Sequence, residues 1–212
     1  MIRVLIIDDH EVVRTGISKV LGDTDGIEVV GVAASGEDGI QLARDNPPDV
    51  VLMDVKMPGI GGVEATRKIT RLLPEVRVIG LTASGDEIFV QRLLQAGARG
   101  YLTKGAGFDE VIRAIRLVAN GQRYVDPTLA SGLLIRQPEG QANPFSQLSE
   151  RELQVALMIV SGQKAQEVAD QLFVSPRTIN TYRYRIFEKL QVRNDVELTH
   201  LALRHGLIDV NE

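Results

Sequence analysis

Five side chains with the chemistry of a phosphoryl-transfer site stand at the ends of short apolar runs. Asp8 and Asp9 follow Val4-Leu5-Ile6-Ile7, and Asp54 follows Val50-Val51-Leu52-Met53. Thr82 follows Val78-Ile79-Gly80-Leu81, and Lys104 follows Gly100-Tyr101-Leu102-Thr103. Three converging carboxylates repel one another unless a cation joins them, and an all-oxygen donor set suits Mg²⁺. A hydroxyl and an ammonium beside that ion would hold phosphoryl oxygens while one carboxylate acts as nucleophile. Each residue alone has an ordinary reading as a helix cap, a loop acid, a turn hydroxyl or a surface lysine. Their recurrence at successive run ends favours the joint reading.

The apolar runs are four to five residues long and rich in β-branched types, with Val29-Val30-Gly31-Val32 as a further member. They read as buried strands, the one at 100–103 being the weakest. Helical patterns lie between them near 11–21, 36–45, 62–73, 86–96 and 108–120. Pro47-Pro48, Pro58-Gly59 and Pro74 mark loops. Five such βα units predict a parallel sheet covered on both faces, with ligands bound beyond the carboxyl ends of the strands.

Composition narrows the function classes. The 212-residue chain has no cysteine, which excludes disulfides, thiolate catalysis and cysteine-based zinc sites, and fits a reducing compartment. No apolar run reaches the roughly 18–20 residues of a membrane span, and MIRVLIIDDH does not read as a secretory signal. The expectation is a cytoplasmic protein without membrane contact. His10, His200 and His205 stand too far apart in sequence to suggest a metal cluster. The net charge of −4 argues against a simple nucleic-acid reading, but it hides a local excess. Between 175 and 193, Arg177, Arg183, Arg185, Lys189 and Arg193 face Glu188 alone, a local charge of +4.

Beyond Gly121 the strand–helix alternation fails. The polar stretch 136–147 reads as a linker, and 148–212 as four helices near 150–161, 164–172, 176–190 and 195–205. Ser149 and Glu152 form a capping-box pattern, Ser175-Pro176 an N-cap with N1 proline, and Gly206 a C-terminal stop. The short turn Phe173-Val174-Ser175 between two helices predicts a helix-turn-helix whose second helix, 176–190, enters the major groove of duplex DNA. Ile179, Tyr182, Ile186 and Leu190 share one face of it, and Arg177, Asn180, Thr181, Tyr184 and Glu188 the other. Asn180, Thr181 and Tyr184 would lie nearest the bases, with Arg183, Arg185 and Lys189 at phosphates. The full candidate set for DNA contact is Ser175, Arg177, Thr178, Asn180, Thr181, Arg183, Tyr184, Arg185 and Lys189. The ordinary alternative is a solvated helix face. The last helix carries Val196, Leu198, Leu201, Ala202 and Leu203, an apolar surplus that predicts a two-fold dimer on DNA unless all five close the small core.

The stretches VLIIDDH, VVLMDVKMPGIGG, LTAS and AGARGYLTKGA resemble the receiver domain of bacterial response regulators. The C-terminal run LSERELQVALMIVSGQKAQEVADQLFVSPRTINTYRYRIFEKL resembles the output domain of NarL/FixJ (LuxR-type) regulators. TINTYRYRIFEKL and DVELTHLALRHGLID are similar in particular to the GacA/UvrY group of global regulators. The resemblance implies a flavodoxin-like, doubly wound, five-stranded receiver of strand order 2-1-3-4-5 over 1–121. A linker over 122–146 and an all-α helix-turn-helix domain over 147–212 would follow. It implies that Asp54 accepts a phosphoryl group from a sensor histidine kinase, with Mg²⁺ held by Asp8, Asp9, Asp54 and the backbone carbonyl of Lys56. Thr82 and Lys104 would sense the phosphate and Tyr101 would be an aromatic switch. It further implies a homodimer when phosphorylated, a hybrid-type kinase, and activation of small regulatory RNA genes. The chain would be no enzyme beyond its own phosphorylation and dephosphorylation. Gly105 stands where some receivers carry proline. Two alternatives compete. A haloacid-dehalogenase-like phosphatase also uses a strand-end aspartate, but would want a second acid where Lys56 stands and its nucleophile on the first strand. A stand-alone receiver would have no use for the basic helical tail.

Overall fold

Runs of Val, Ile and Leu bounded by acids and glycines take up the strands of a parallel sheet, and each amphipathic stretch folds back across it. The computed structural model describes residues 1–82, 87–126 and 143–208, without the side chains of residues 87 and 88. The middle of the expected linker, the first residue of the helix expected at 86–96 and the last four residues lie outside these. The chain forms two compact units, Met1–Gln137 and Pro138–Glu212.

In the first unit the strands are β1 (Ile2–Ile7), β2 (Ile27–Ala33), β3 (Val50–Asp54), β4 (Arg77–Thr82), β5 (Gly100–Thr103) and β6 (Tyr124–Val125). The helices are α1 (Glu11–Gly22), α2 (Gly36–Asp45), α3 (Gly61–Leu72), α4 (Glu87–Gln95) and α5 (Phe108–Ala119). The sheet order is β2-β1-β3-β4-β5-β6, all pairs parallel. The expected five-strand order is therefore present, extended by a sixth strand that falls inside the stretch expected as linker. Tyr124 and Val125 pair with Gly100 and Tyr101, and the Thr103 hydroxyl donates to Asp126 at 3.0 Å. The Tyr124 hydroxyl donates to Glu110 of α5 at 2.7 Å. Burial and that acceptor push the Tyr124 phenol up to about 12. A two-residue strand with one aromatic carries no periodic signal, which explains why it is silent in the sequence.

Val4, Ile6, Leu52, Ile79, Leu81 and Leu102 pack on one face of the sheet against Ile17 and Leu21 of α1 and Val111, Ile115 and Val118 of α5. On the other face Gly39 of α2 lies against Ile7, and Gly80 of β4 leaves room for Leu93 of α4. With both faces covered, every residue of β3 is buried, Asp54 included. Register then fixes the site. Ile7 pairs with Met53, so Asp8 and Asp54 emerge side by side at the same edge. Asp54 pairs with Leu81, and Thr82 with Thr103, which brings the ends of β4 and β5 to that edge too.

The second unit begins with a 3-10 turn, Pro144–Gln147, followed by α6 (Glu150–Val160), α7 (Ala165–Gln171), α8 (Pro176–Leu190) and α9 (Asp195–Arg204). Ser149 and Glu152 form the expected capping box, and Ser175 caps α8 by accepting from the Thr178 amide, with Pro176 in the first turn. Gly206, at φ +65°, follows α9. Phe145, Leu153, Ala156, Val168, Ile179, Ile186, Leu198 and Ala202 fill the core.

A β-carbon at Gly62 would stand 1.9 Å from the Asp54 carbonyl oxygen, whereas one at Gly105 would meet nothing within 4 Å. Gly62→Ala should therefore destabilise the first unit by about 1–3 kcal/mol, and Gly105→Ala should be close to neutral. Urea unfolding of both variants measures this; equal midpoints would contradict the close approach.

Candidate functional site

The first site is built at the carboxyl edge of β1, β3, β4 and β5. Asp8 is fully buried, and Asp54 and Thr82 are 1% exposed. Lys104, at the end of β5, reaches across the edge: its Nζ donates to Asp54 Oδ2 at 2.8 Å and stands 2.9 Å from Asp8 Oδ2. The Lys104 amide donates to the Thr82 carbonyl at 2.6 Å, so backbone pairing holds the ammonium's stem in place. The Lys56 amide donates to Asp54 Oδ1 at 3.1 Å, and Lys56 Nζ stands over the Phe89 ring at 5.7 Å. The Arg14 guanidinium donates to the Asp8 carbonyl at 2.6 Å.

Burial drives the Asp54 carboxyl up to about 7, with the neighbouring Asp8 charge adding to it and the contacts to Lys104 and Lys56 only partly pulling it back. Burial alone would lower Lys104; its contacts to Asp54 and Asp8 outweigh that and hold its ammonium above the usual lysine range. A single lysine thus leaves the acid pocket short of positive charge. Two buried oxygens, Asp8 Oδ2 and Asp9 Oδ1, have no aligned hydrogen bond, although Lys104 Nζ and His10 Nδ1 come within 2.9 and 2.8 Å of them. Both separations are within hydrogen-bond distance, but neither contact is aligned as a hydrogen bond. Oxygen atoms in this condition fit a bound cation. Donor atoms of Asp8, Asp9, His10 and Asp54 all lie within 4.8 Å of one another.

Tyr101 is fully buried and lies opposite Gly80 in the β4–β5 register. A side chain at Gly80 would crowd both Leu93 and the Tyr101 ring, so glycine keeps the inward place of the ring open.

The second site is the face of α8. Ile179, Ile186 and Leu190 are buried, and Tyr182 is half-buried. Arg177, Asn180, Thr181, Tyr184, Arg185 and Glu188 are exposed, Tyr184 at 79%. Ser175 and Thr178 share a hydrogen bond at the helix start, and the Thr181 hydroxyl donates back to the Arg177 carbonyl at 3.0 Å. Arg183 and Lys189 stand apart from this face. Arg183 Nη2 donates to Asp195 of α9 at 2.6 Å, and Lys189 Nζ to Glu152 of α6 at 2.6 Å. Glu152 is 4% exposed; burial alone would raise its carboxyl, but Lys189 and the Ser149 cap hold it below the usual range. Phe173, in the turn before α8, is 86% exposed and sits at φ +53°, where glycine is usual.

Residues 4–116 match the response regulator receiver domain, and residues 146–202 match the LuxR family of bacterial regulatory proteins. Over 213 aligned positions the chain is 57% identical to the response regulator GacA of Pseudomonas viridiflava, covering all of both chains. It is 54% identical to the response regulator UvrY of Escherichia coli K12, covering 98% of this chain and 96% of that one. Among solved structures, a complex of the response regulator RcsB with DNA is similar at 26% identity and a TM-score of 0.59, covering 94% of this chain and 96% of that one.

The chain is a response regulator. It joins a receiver domain to a LuxR-type DNA-binding domain, and is similar over its full length to the GacA and UvrY regulators. No helix among the described residues is long and apolar enough to cross a membrane. In this response regulator Asp8, Asp9, Asp54, Thr82 and Lys104 meet at one sheet edge. His10 also stands at this edge; the wide spacing of the three histidines hides it in the sequence, and its adjacency to Asp8 and Asp9 is the usable signal. Sequence reasoning missed Gly62 and the engagement of Arg183 and Lys189, which depend on partners from other elements.

The direction of the Asp54 shift predicts a pH dependence. A carboxyl raised from 3.8 to about 7 on folding opposes the fold once it ionises, so stability is lost as pH rises through 7. In chelator-treated protein Asp54→Asn should therefore raise the melting temperature by several degrees at pH 8. The gain should shrink through pH 7 and vanish toward pH 4. A gain independent of pH would assign the effect to packing.

Proposed function

We propose that this response regulator is controlled by phosphorylation of Asp54 and acts on promoter DNA through α8. The observation that carries the reading is the placement of Asp54, buried between Asp8 and Lys104 at the sheet edge with its Oδ1 held by the Lys56 amide. An Asp54 oxygen attacks the phosphorus of a kinase phosphohistidine; the P–N bond breaks and the imidazole leaves with its electron pair. Lys104, already within 3 Å of both carboxylates, would take one phosphoryl oxygen, and the Thr82 hydroxyl another. Mg²⁺ at Asp8, Asp9, Asp54 and the Lys56 carbonyl would supply the remaining positive charge. Small phosphodonors would serve the same pocket, making self-phosphorylation and dephosphorylation its only catalysis.

The added phosphate charge shifts the population of two receiver states, with a coupling of about 1–3 kcal/mol typical. Thr82 moves toward the phosphate, and Tyr101, already buried beside Gly80, is held there. β5 carries Tyr101 and leads directly into Lys104, and it also pairs with β6, where the chain leaves the sheet toward the linker. The domain limits 1–121, 122–146 and 147–212 serve this reading, with β6 as the receiver's last contact with the linker.

On DNA, Asn180, Thr181 and Tyr184 stand nearest the bases. Arg177 and Arg185, with Ser175 and Thr178 at the helix start, reach phosphates. Arg183 and Lys189 contribute mainly by anchoring α8 to α9 and α6. Val196 is 64% exposed on α9, while Leu198 and Ala202 are buried. Leu201 and Leu203 are half-buried, so Val196 is the most exposed of the five and the first apolar side chain available to a homodimer. We further propose a sensor histidine kinase of hybrid type as phosphodonor, the cytoplasm as compartment and small regulatory RNA genes as targets, all implied by the resemblance to the GacA/UvrY group and not by the residues themselves.

Acetyl phosphate should label the parent and leave Asp54→Asn unlabelled; labelling of the variant would place the acceptor elsewhere. Asn180→Ala should cost about 1–3 kcal/mol at a specific site and little on random duplex, whereas Arg185→Ala should weaken both and lower the salt slope by about one. Equal behaviour of the two variants would overturn the division between base and phosphate contacts. Val196→Glu should keep the fold and bind an inverted repeat as a monomer in sedimentation; dimeric binding would move the interface off α9.

A further inference from the structure

We infer that a cleft in the second unit is a binding site for a free α-amino acid with an apolar side chain. The cleft lies between the end of α6, the start of α7, the middle of α8 and the first turns of α9, and encloses about 500 Å³, a volume suited to a small ligand. Its walls divide by chemistry. Ile159 and Val160 of α6 and Val196 of α9 give an apolar side, and Gln163, Arg183 and Asp195 a polar one. The polar side is not satisfied within the fold. Gln163 Oε1, Arg183 Nε and Asp195 Oδ1 are buried and have no hydrogen-bond partner. Among the described residues of the second unit these are the only buried side-chain atoms so left, and all three belong to residues that line this one cleft. Such atoms are rare in folded proteins and costly, so their convergence calls for a partner.

Local structure explains the opening. α6 ends at Val160 and the chain turns through Gly162, at φ +83°, where a β-carbon would meet nothing within 4 Å. The turn brings Gln163 and Lys164 to the cleft before α7 begins at Ala165. Across α8 and α9, Arg183 Nη2 donates to Asp195 Oδ2 at 2.6 Å. That bond sets a cation and an anion side by side and leaves Nε of one and Oδ1 of the other over. The neighbouring Thr199 hydroxyl is committed to the Asp195 carbonyl at 2.8 Å and does not fill the need.

The missing partners define the ligand. Nε needs an acceptor, while Asp195 Oδ1 and Gln163 Oε1 need donors. A carboxylate answers the first, with Lys164 adding positive charge to the lining, and an ammonium answers the other two. Both groups must fall beside one ion pair, with a hydrocarbon tail against Ile159, Val160 and Val196. A branched apolar α-amino acid has that form. The Arg183 and Asp195 side chains are 31% and 44% exposed, so both can turn toward an occupant entering from solvent. A purely apolar ligand would leave the three atoms unpaired, and a peptide terminus carries only one of the two charges. Because the Arg183–Asp195 pair ties α8 to α9, an occupant bears on the seating of the recognition helix.

Titration of the full chain with L-leucine, L-isoleucine and L-valine tests this, by calorimetry and by the NMR shifts of backbone amides. At least one should bind, with the largest shifts at Gly162, Gln163, Asp195 and Thr199. The counterparts lacking the ammonium or the carboxylate (isocaproate and isoamylamine for leucine) should bind about tenfold more weakly or worse. Gln163→Leu removes one of the orphaned acceptors. Its affinity for the amino acid should fall about tenfold, while the melting temperature of the unliganded variant should stay level or rise. Absence of binding by all three amino acids, equal binding of the truncated counterparts, or shifts centred on other residues would overturn the inference. So would a lower melting temperature of unliganded Gln163→Leu, which would mean that the amide has its partner within the fold.

Discussion

Two carboxylates buried side by side, Asp8 and Asp54, are held in the folded protein largely by one ammonium. Lys104 stands within 3 Å of both and is anchored through its own amide to the end of β4. Asp54 is nevertheless driven up to about 7, so the pocket is electrostatically unbalanced as folded. Much of the receiver can be understood as support for this imbalance. β3 is buried on both faces, the register of β1 with β3 sets the two acids together, and Gly62 lets α3 approach the Asp54 carbonyl. A pocket that opposes folding in this way gains from any added positive charge. It is also sensitive to a change of charge at Asp54, which is the property a phosphorylation switch requires.

The output domain obeys the same rule of paired burial at smaller scale. Glu152 caps α6 and also holds Lys189, while Gln147 donates to the Lys189 carbonyl at 2.6 Å, so the end of the recognition helix is tied to the start of the domain. Arg183 ties the middle of α8 to the first turn of α9. The helix is thereby fixed by the cations that face inward and along its flank, leaving Arg177, Asn180, Tyr184 and Arg185 exposed. The arrangement joins recognition to the helix that bears Val196. Movement of α9 in an assembly would be transmitted to α8 through one ion pair.

Strands and helices were legible in the sequence to within a residue or two at most ends, because Val/Ile-rich runs alternating with amphipathic stretches have only one economical packing. Ser149 and Ser175 marked their helices for a local reason, the needs of unpaired amides. The strand-end acids, Thr82 and Lys104 were legible for the same reason as the fold. What escaped the sequence depends on long-range partners. A helical wheel places Lys189 at a flank without showing Glu152 beneath it. β6 is two residues long, and its partners on β5 and α5 are distant in the sequence. Gly62 reads as one more glycine in a loop until the Asp54 carbonyl is placed against it. Phe173 takes a left-handed turn that no local pattern announces.

The central claim is that the state of the Asp54 pocket governs the DNA affinity of α8 in the same chain. The most direct measurement is the affinity of the full chain for its promoter duplex at fixed salt, with and without acetyl phosphate and Mg²⁺, for the parent and Asp54→Asn. The account predicts a rise of roughly 5–150-fold with the phosphodonor in the parent, the range of a coupling of about 1–3 kcal/mol, and none in the variant. Equal DNA affinity of the parent in both conditions, with Asp54 shown to be phosphorylated, would contradict it.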